Sequence, residues 1–223
     1  MGLTHSPRIA TDGLALCLDA GNVRSYPGSG TSWNNLAGTN SFYLYNGISY
    51  NDNNAGYLTF DGVNDYAMSS ALGDISNGIS ISGWIYMNNA GDGILMDGRS
   101  NAGTYAYAIN ISSSKIYYQT YLATQYISPT LTFSSGKWYF ITCTQTGVSS
   151  DGDSATLSVY VNGNFIGSDS RNSPALLTSF MRIGRKNAAY HNGNIAMVVC
   201  NKKTLSANEI KQNYLATKGR FNL

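Results

Sequence analysis

Short apolar or alternating runs recur along the chain every 8 to 15 residues, separated by clusters of Gly, Asn, Asp and Ser. That rhythm predicts an antiparallel sandwich or barrel of many short strands. The predicted strands cover residues 13–18, 57–60, 66–69, 79–86, 94–96, 105–111, 115–122, 138–144, 156–161, 164–169, 180–183 and 194–201. Within 79–86, Ile79, Ile81, Gly83 and Ile85 alternate with Ser80, Ser82, Trp84 and Tyr86, so one face is aliphatic, the other turns aromatic, and both are expected to be covered. Asn162-Gly163 is a two-residue hairpin signal, because a type I′ turn needs positive φ at both positions. The DGVND segment at 61–65 is expected to turn one strand back on the next, with Gly62 at positive φ. Residues 25–40 read as a long ordered loop anchored by Trp33.

Helical periodicity is confined to the C-terminal end, where Ser206 and Glu209 are spaced as a capping box and Leu205 and Ile210 as a hydrophobic staple. The predicted helix covers about 207–217, with Ile210, Tyr214 and Leu215 towards the sheet and Gly219 as its left-handed stop. No internal repeat is visible, which argues against a propeller or solenoid.

Composition adds a surface that is polar but uncharged: 12% of the 223 residues are charged, and 17 are Tyr. Such a surface suits hydrogen bonding to neutral partners, or packing into a large assembly. Residues 171–223 hold nine of the fourteen Lys and Arg against one acid, Glu209, whereas residues 1–170 hold five bases against eleven Asp. Pairing between the two parts is the expected use of that asymmetry. The bases form no run or nucleic-acid motif, so no nucleic-acid partner is expected. No apolar stretch approaches 18 residues and no charged-then-apolar N-terminus stands out, so neither membrane insertion nor a cleaved signal is expected. Cys17, Cys143 and Cys200 each lie in an apolar run and read as buried thiols.

Taken together, TDGLALCLDAGNVRSYPGSGTSWNNLAG, FDGVNDY, ISISGWIYM, GKWYFITCTQ, LSVYVNGNFIG, MRIGR and HNGNIAMVVCNKKTLSANEIKQNYLATKGRF resemble, in order, the laminin G-like, concanavalin A-like domains of tailed-phage structural proteins and bacterial surface proteins. The opening and closing segments look most like phage virion proteins. The resemblance implies a two-sheet antiparallel jelly-roll sandwich over residues 13–223 with its first and last strands adjacent and one short C-terminal helix; residues 1–12, extended by Pro7 and too polar to bury alone, read as an N-terminal arm. It implies a structural or accessory virion protein, a capsid decoration or a tail- or fibre-associated piece with an adhesion role. The partners would be other virion proteins, further copies of the chain (a trimer suits fibres and capsid threefolds) and host-surface glycans. The alternative is a lectin-like, glycan-binding module of a bacterial surface protein.

Fold does not give function, so candidate chemistry is weighed residue by residue. Glycosidases on this fold need two carboxylates about the scissile bond, commonly on an ExDxE strand, and that motif is absent. The sole Glu is explained by its cap, and His5 and His191 have no nucleophile elbow to serve; the expectation is a chain that is not an enzyme. Calcium is the cofactor the resemblance implies, and Asp61, Asn64 and Asp65, or Asp151 and Asp153, could supply oxygens to it. All of these lie in Gly/Asn/Ser-rich segments where Asp also serves turns. For a glycan the candidates are Tyr105, Tyr107, Tyr117, Tyr118, Tyr121 and Tyr126, whose rings could stack on sugar faces. Tyr105 and Tyr107 share a strand face with Ile109, and adjacent Tyr117 and Tyr118 must point to opposite faces, so at most some can face a ligand.

Overall fold

The computed structural model describes residues 8–70, 72–99, 105–120, 125–173, 175–177 and 180–223. In chain order the first strands are β1 (Leu14–Asp19), β2 (Ser32–Trp33), β3 (Phe42–Tyr45), β4 (Ser49–Asn51), β5 (Tyr57–Asp61), β6 (Tyr66–Ser70) and β7 (Gly73–Asp74). They are followed by β8 (Ile79–Met87), β9 (Gly93–Arg99), β10 (Tyr105–Ser112), β11 (Lys115–Gln119), β12 (Gln125–Ile127), β13 (Trp138–Gln145) and β14 (Ser154–Val161). The last are β15 (Asn164–Asn172), β16 (Leu176–Leu177), β17 (Phe180–Ile183), β18 (Arg185–Lys186), β19 (Ala189–Tyr190) and β20 (Asn192–Asn201), before the helix α1 (Ala207–Thr217).

Two antiparallel sheets face each other. The first runs β15-β14-β13-β8-β20-β5-β4, with β1 on the C-terminal half of β20; the second runs β12-β11-β10-β9-β17-β6-β3-β2. The first and last strands are neighbours, Leu18 opposite Val198. Asn162 and Gly163 take φ of 52° and 72° between β14 and β15, the expected hairpin. At DGVND, Gly62 has the expected positive φ of 78°, but the chain does not fold back as a hairpin: β5 lies in one sheet and β6 in the other. Asn46-Gly47 does the same between β3 and β4, two strands that the pattern of residues does not announce. Both are corners of the sandwich, because positive φ, at Gly62 alone or at the Asn46-Gly47 pair, turns the chain without saying which partner it will meet.

Between the sheets lies the main core, with Ile79, Ile81 and Ile85 from β8 and Phe60, Leu18, Ile183 and Val198 from their neighbours. Trp33 is fully buried in it, as its loop position predicted. On the other side of the first sheet Trp84, Trp138, Phe140 and Val199 form a second cluster under Tyr214 and Phe221. Both faces of β8 are therefore covered, by one sheet and by the C-terminal helix. Cys143 and Cys200 are fully buried and Cys17 nearly so, all three as free thiols; burial pushes Cys17 up to about 11 and the other two further.

The reciprocal Ser206–Glu209 capping box is present, and Leu205 and Ile210 are buried together. Two details of the helix differ from expectation. Leu215 is 43% exposed, its place against the sheet taken by Asn213 and Thr217, and the stop is not Gly219. The chain tightens into a 3₁₀ turn over Lys218–Phe221, and Asn222 takes the left-handed conformation, so Phe221 can reach the Trp84 ring at 4.2 Å. Residues 8–12 also depart from a free arm. The Asn213 Oδ1 accepts from the Ala10 N–H at 2.7 Å, the Asn201 amide donates to the Asp12 carbonyl at 2.9 Å, and Gln212 donates to the Arg8 carbonyl at 2.6 Å. These residues are strapped to the helix and β20, and residues 1–7 lie outside the described residues.

The basic and acidic parts of the chain pair internally, through Lys203 with Asp12, Arg220 with Asp19, and Arg182 with Asp97. Among the described residues no helix is long and apolar enough to cross a membrane.

Candidate functional site

Strand register sorts the tyrosines. Across the second sheet, Leu44, Ala67, Ile183, Met96, Ile109, Tyr118 and Tyr126 stand opposite one another in one row, and all are buried in the main core. Tyr107, two residues from Ile109, shares that face; its hydroxyl donates to Gln145 Oε1 at 2.7 Å and its ring lies 5.4 Å from that of Tyr118. Tyr107, Tyr118 and Tyr126 thus line the sandwich interior, and a ligand cannot stack on them: their flanking positions give them the same parity as the aliphatic core. Burial raises all three phenols, Tyr107 and Tyr118 strongly. Tyr117 is half-buried on the outer face, opposite Asn110. Tyr105 lies on β10 with its side chain outside the described residues, as is the whole of Tyr121.

The next row along the sheet faces outwards: Tyr43, Met68, Arg182, Asp97, Ala108 and Gln119. In its middle Arg182 Nη2 donates to Asp97 Oδ2, with Asp97 fully buried and Arg182 nearly so. Beside this pair the β18–β19 hairpin folds back at Asn187, whose φ is 55°. The Lys186 ammonium donates to Asn110 Oδ1 at 2.7 Å and so ties the hairpin to the sheet. The Arg185 guanidinium lies between two rings, 4.8 Å from that of Tyr66 and 5.1 Å from that of Tyr190, and Tyr66 stacks on Tyr45 at 4.7 Å with 7° between the planes. Cation–π contacts of this kind hold a planar ladder at the surface.

Next to the ladder opens a cleft of about 710 Å³, at the end of the sandwich where the β5–β6 and β8–β9 turns meet the hairpin. Asn89, Asp92, Asn110, Lys186, Tyr190 and Asn192 line it, over a floor that includes Gly93 and Ile94. Asn192 is clamped by Asn88, whose N–H and side-chain amide donate to its carbonyl and Oδ1 at 3.1 and 2.7 Å. The arrangement offers amide donors and acceptors, a carboxylate, an ammonium and one aromatic wall, which is the equipment for holding a ligand rich in hydroxyl groups. None of these residues stood out in the sequence. They come from three separate segments, 89–94, 110 and 186–192, and RKNAAYHN, which supplies three of them, shows only a basic pair and a turn.

His191 supports the cleft from beneath. It is fully buried, its Nδ1 accepts from the Ile94 N–H at 3.4 Å, and its main-chain N–H donates to the Gly184 carbonyl at 2.8 Å. Desolvation holds the imidazole down at about 4, against an ordinary 6.5. The unfolded chain therefore takes up a proton that the folded chain refuses, and stability falls as pH drops from about 6.5 to about 4, by about 3 kcal/mol in full. Urea titrations at pH 7, 5 and 4 should show this loss, and His191→Asn should flatten it; a variant whose stability tracks the parent at every pH would refute the assignment.

The two aspartate clusters are built as turns. Asp61 Oδ1 accepts from the N–H groups of Val63 and Asn64 at 2.8 and 3.1 Å, which lowers its carboxyl, and Asp65 Oδ2 accepts from the Asp61 N–H at 3.0 Å. Asp65 is buried, and that burial raises it. Asp151 accepts from the Ala175 N–H and Asp153 from the Ser150 N–H, at 2.6 and 2.9 Å. Among the described residues no three His, Cys, Asp or Glu side chains come together to hold a metal. These donor sets do not fit the six to eight oxygens that calcium takes.

The model of the concanavalin A-like lectin/glucanase superfamily, laminin G type, matches residues 53–211, more than two thirds of the chain. The chain belongs to this superfamily. No curated protein is significantly similar to it in sequence. Among solved structures, the superfamily fold recurs in the receptor-binding domain of botulinum neurotoxin type G, with a TM-score of 0.68 and 14% identity over 91% of this chain and 51% of that one. It recurs in the binding domain of a paraclostridial mosquitocidal protein, with a TM-score of 0.69 and 13% identity over 91% and 52%. The Trypanosoma rangeli sialidase bound to the inhibitor DANA gives a TM-score of 0.67 and 14% identity over 95% and 35%. The chain thus spans between about a third and about half of the solved chains it matches. The fold is lectin-like and two of these neighbours are binding domains. The expectation that the chain is not an enzyme is corrected by the third: the same fold forms part of sialidase chains, so a missing ExDxE strand does not set this chain apart from enzymes. At 14% identity that likeness supports the fold and not an activity.

Proposed function

We propose that the chain is a carbohydrate-binding module that takes its ligand in the cleft at the β18–β19 hairpin. The observation that carries this is the pairing of an aromatic wall, Tyr190 braced by Arg185, with the amides of Asn89, Asn110 and Asn192 in a single cleft. Sugars present an apolar ring face and a rim of hydroxyls, and these two surfaces answer them. The binding domains among the structural neighbours lend support at the level of fold. The likeness of the opening and closing segments to phage virion proteins supports a place for the module on a virion, as an oligomeric adhesion piece among other virion proteins that meets host-surface glycans.

A glycan array tests the binding reading. The native chain should bind a restricted set of glycans, and Tyr190→Ala should weaken the best of them about tenfold. An array on which nothing binds, or a Tyr190→Ala chain that binds as the native one does, would remove the cleft as a sugar site.

A further inference from the structure

The hairpin that walls the cleft carries two adjacent cations, and among the described residues neither has a carboxylate partner. Arg185 Nε donates to the Asn187 carbonyl at 2.9 Å while its plane is occupied by tyrosine rings. The Lys186 ammonium donates to a neutral amide oxygen, that of Asn110. Asp97 acts through space to favour the charged form of Lys186, while its own ion pair is with Arg182. The carboxylate of the cleft itself, Asp92, is exposed and accepts from the Ser113 N–H at 3.3 Å, three residues along the chain from Asn110. The polar lining thus sets the Lys186 ammonium and Asn192 at the hairpin, Asn110 on β10 beside them, and Asn89 with the Asp92 carboxylate at the β8–β9 turn.

Lys186 is half-buried, and desolvation pushes its amine below the ordinary value. A cation in that position gains from any anion that enters, because the surroundings screen it less than water would. Hydroxyl groups alone leave its charge unanswered. Resting on the reading of the cleft as a sugar site, we propose that the glycan it takes is acidic, with a sugar carboxylate paired to the Lys186 ammonium and the neutral hydroxyls turned to the asparagines. The same reasoning makes Lys186 the residue that sets specificity, and Tyr190 the residue that supplies affinity for acidic and neutral sugars alike.

The test uses polygalacturonate, alginate and polysialic acid, each beside its carboxyl-reduced form, in which the acid has become a primary alcohol and the ring is unchanged. The native chain should bind at least one acidic polymer about tenfold or more tighter than its reduced form, a preference that shrinks in 0.5 M NaCl, roughly the range where the Debye length falls towards 4 Å. Lys186→Gln should erase that preference, so that the acidic polymer and its reduced form bind with similar affinity. Equal binding of acidic and reduced polymers, or binding confined to neutral glycans on the array, overturns the charge assignment and leaves the sugar cleft standing. A preference that survives Lys186→Gln overturns the role of Lys186. A chain that binds no glycan of either kind overturns this inference together with the reading it rests on.

Discussion

Asp97→Ala should cost the fold about 3–5 kcal/mol, because it strands the Arg182 guanidinium, 6% exposed, without its carboxylate. Both residues sit in the middle of the outward row of the second sheet, and Arg182 also lies 5.0 Å from the Phe180 ring, so the stranded charge has no route to water that keeps its packing. Equilibrium urea unfolding gives the number. Adding Arg182→Met to the same chain should recover a good part of the loss, since an apolar pair of similar volume carries no desolvation cost. A single variant that loses less than about 1 kcal/mol would mean that the pair is far better solvated than its burial implies. The cleft should register the change too. Arg182 immediately precedes Ile183, Gly184 and the hairpin, and a shift of that strand moves Lys186 relative to Asn110.

Trp84→Ala should cost a similar amount, about 3–5 kcal/mol, for a different reason. The indole is fully buried, donates from Nε1 to Thr217 Oγ1 at 2.8 Å, and meets the rings of Phe140, Tyr214 and Phe221. Its removal leaves a large cavity under α1 and takes away the closer of the two aromatic contacts that Tyr214 makes with the first sheet, leaving the 6.3 Å contact with Phe140. Amide hydrogen exchange over residues 207–217 should therefore quicken more than exchange in β9 or β17, which lie across the main core. Trp84→Phe, which keeps the ring and loses the hydrogen bond, should cost markedly less. Helix protection that does not change in Trp84→Ala would show that the capping box and the strap of residues 8–12 hold α1 without the indole.

What the chain reveals in one dimension is uneven, and the unevenness is physical. The alternation in ISISGWIYM was enough to expect two covered faces, because a strand with apolar residues at both parities has no side left for water. The helix start was legible because capping is a local bond set; its end was not, because the choice of Asn222 over Gly219 depends on where Phe221 must go, which is a tertiary matter. The corners at 46–47 and 61–65 carry ordinary hairpin residues, and only the partner strands decide that they pass between sheets. Tyrosine was a poor guide to the surface for the same reason. In KIYYQ the parity of Tyr117 and Tyr118 is opposite, yet nothing local says which is inside; the register with Ile109 settles it. The cleft was least legible of all, since its lining is gathered from turns remote in sequence and made of Asn and Asp, residues that turns need in any case.

The pairing of β1 with β20 bears on how the molecule can be mounted. Asn192 lines the cleft at one end of the 10-residue β20, and Asn201 grips the carbonyls of Ala10 and Asp12 at the other, about 30 Å away. The 3₁₀ turn that ends at Phe221 is packed on the Trp84 face of the first sheet, and Arg8 and Leu223 are both open to solvent. Phe221 meets the Trp138 ring at 4.6 Å, towards the cleft end of the sheet, whereas Ala10 and Asp12 are held at the remote end, so a support attached ahead of residue 10 lies farther from the cleft than one attached at Leu223. Sensor surfaces coupled through the N-terminal side should hold the cleft away from the support.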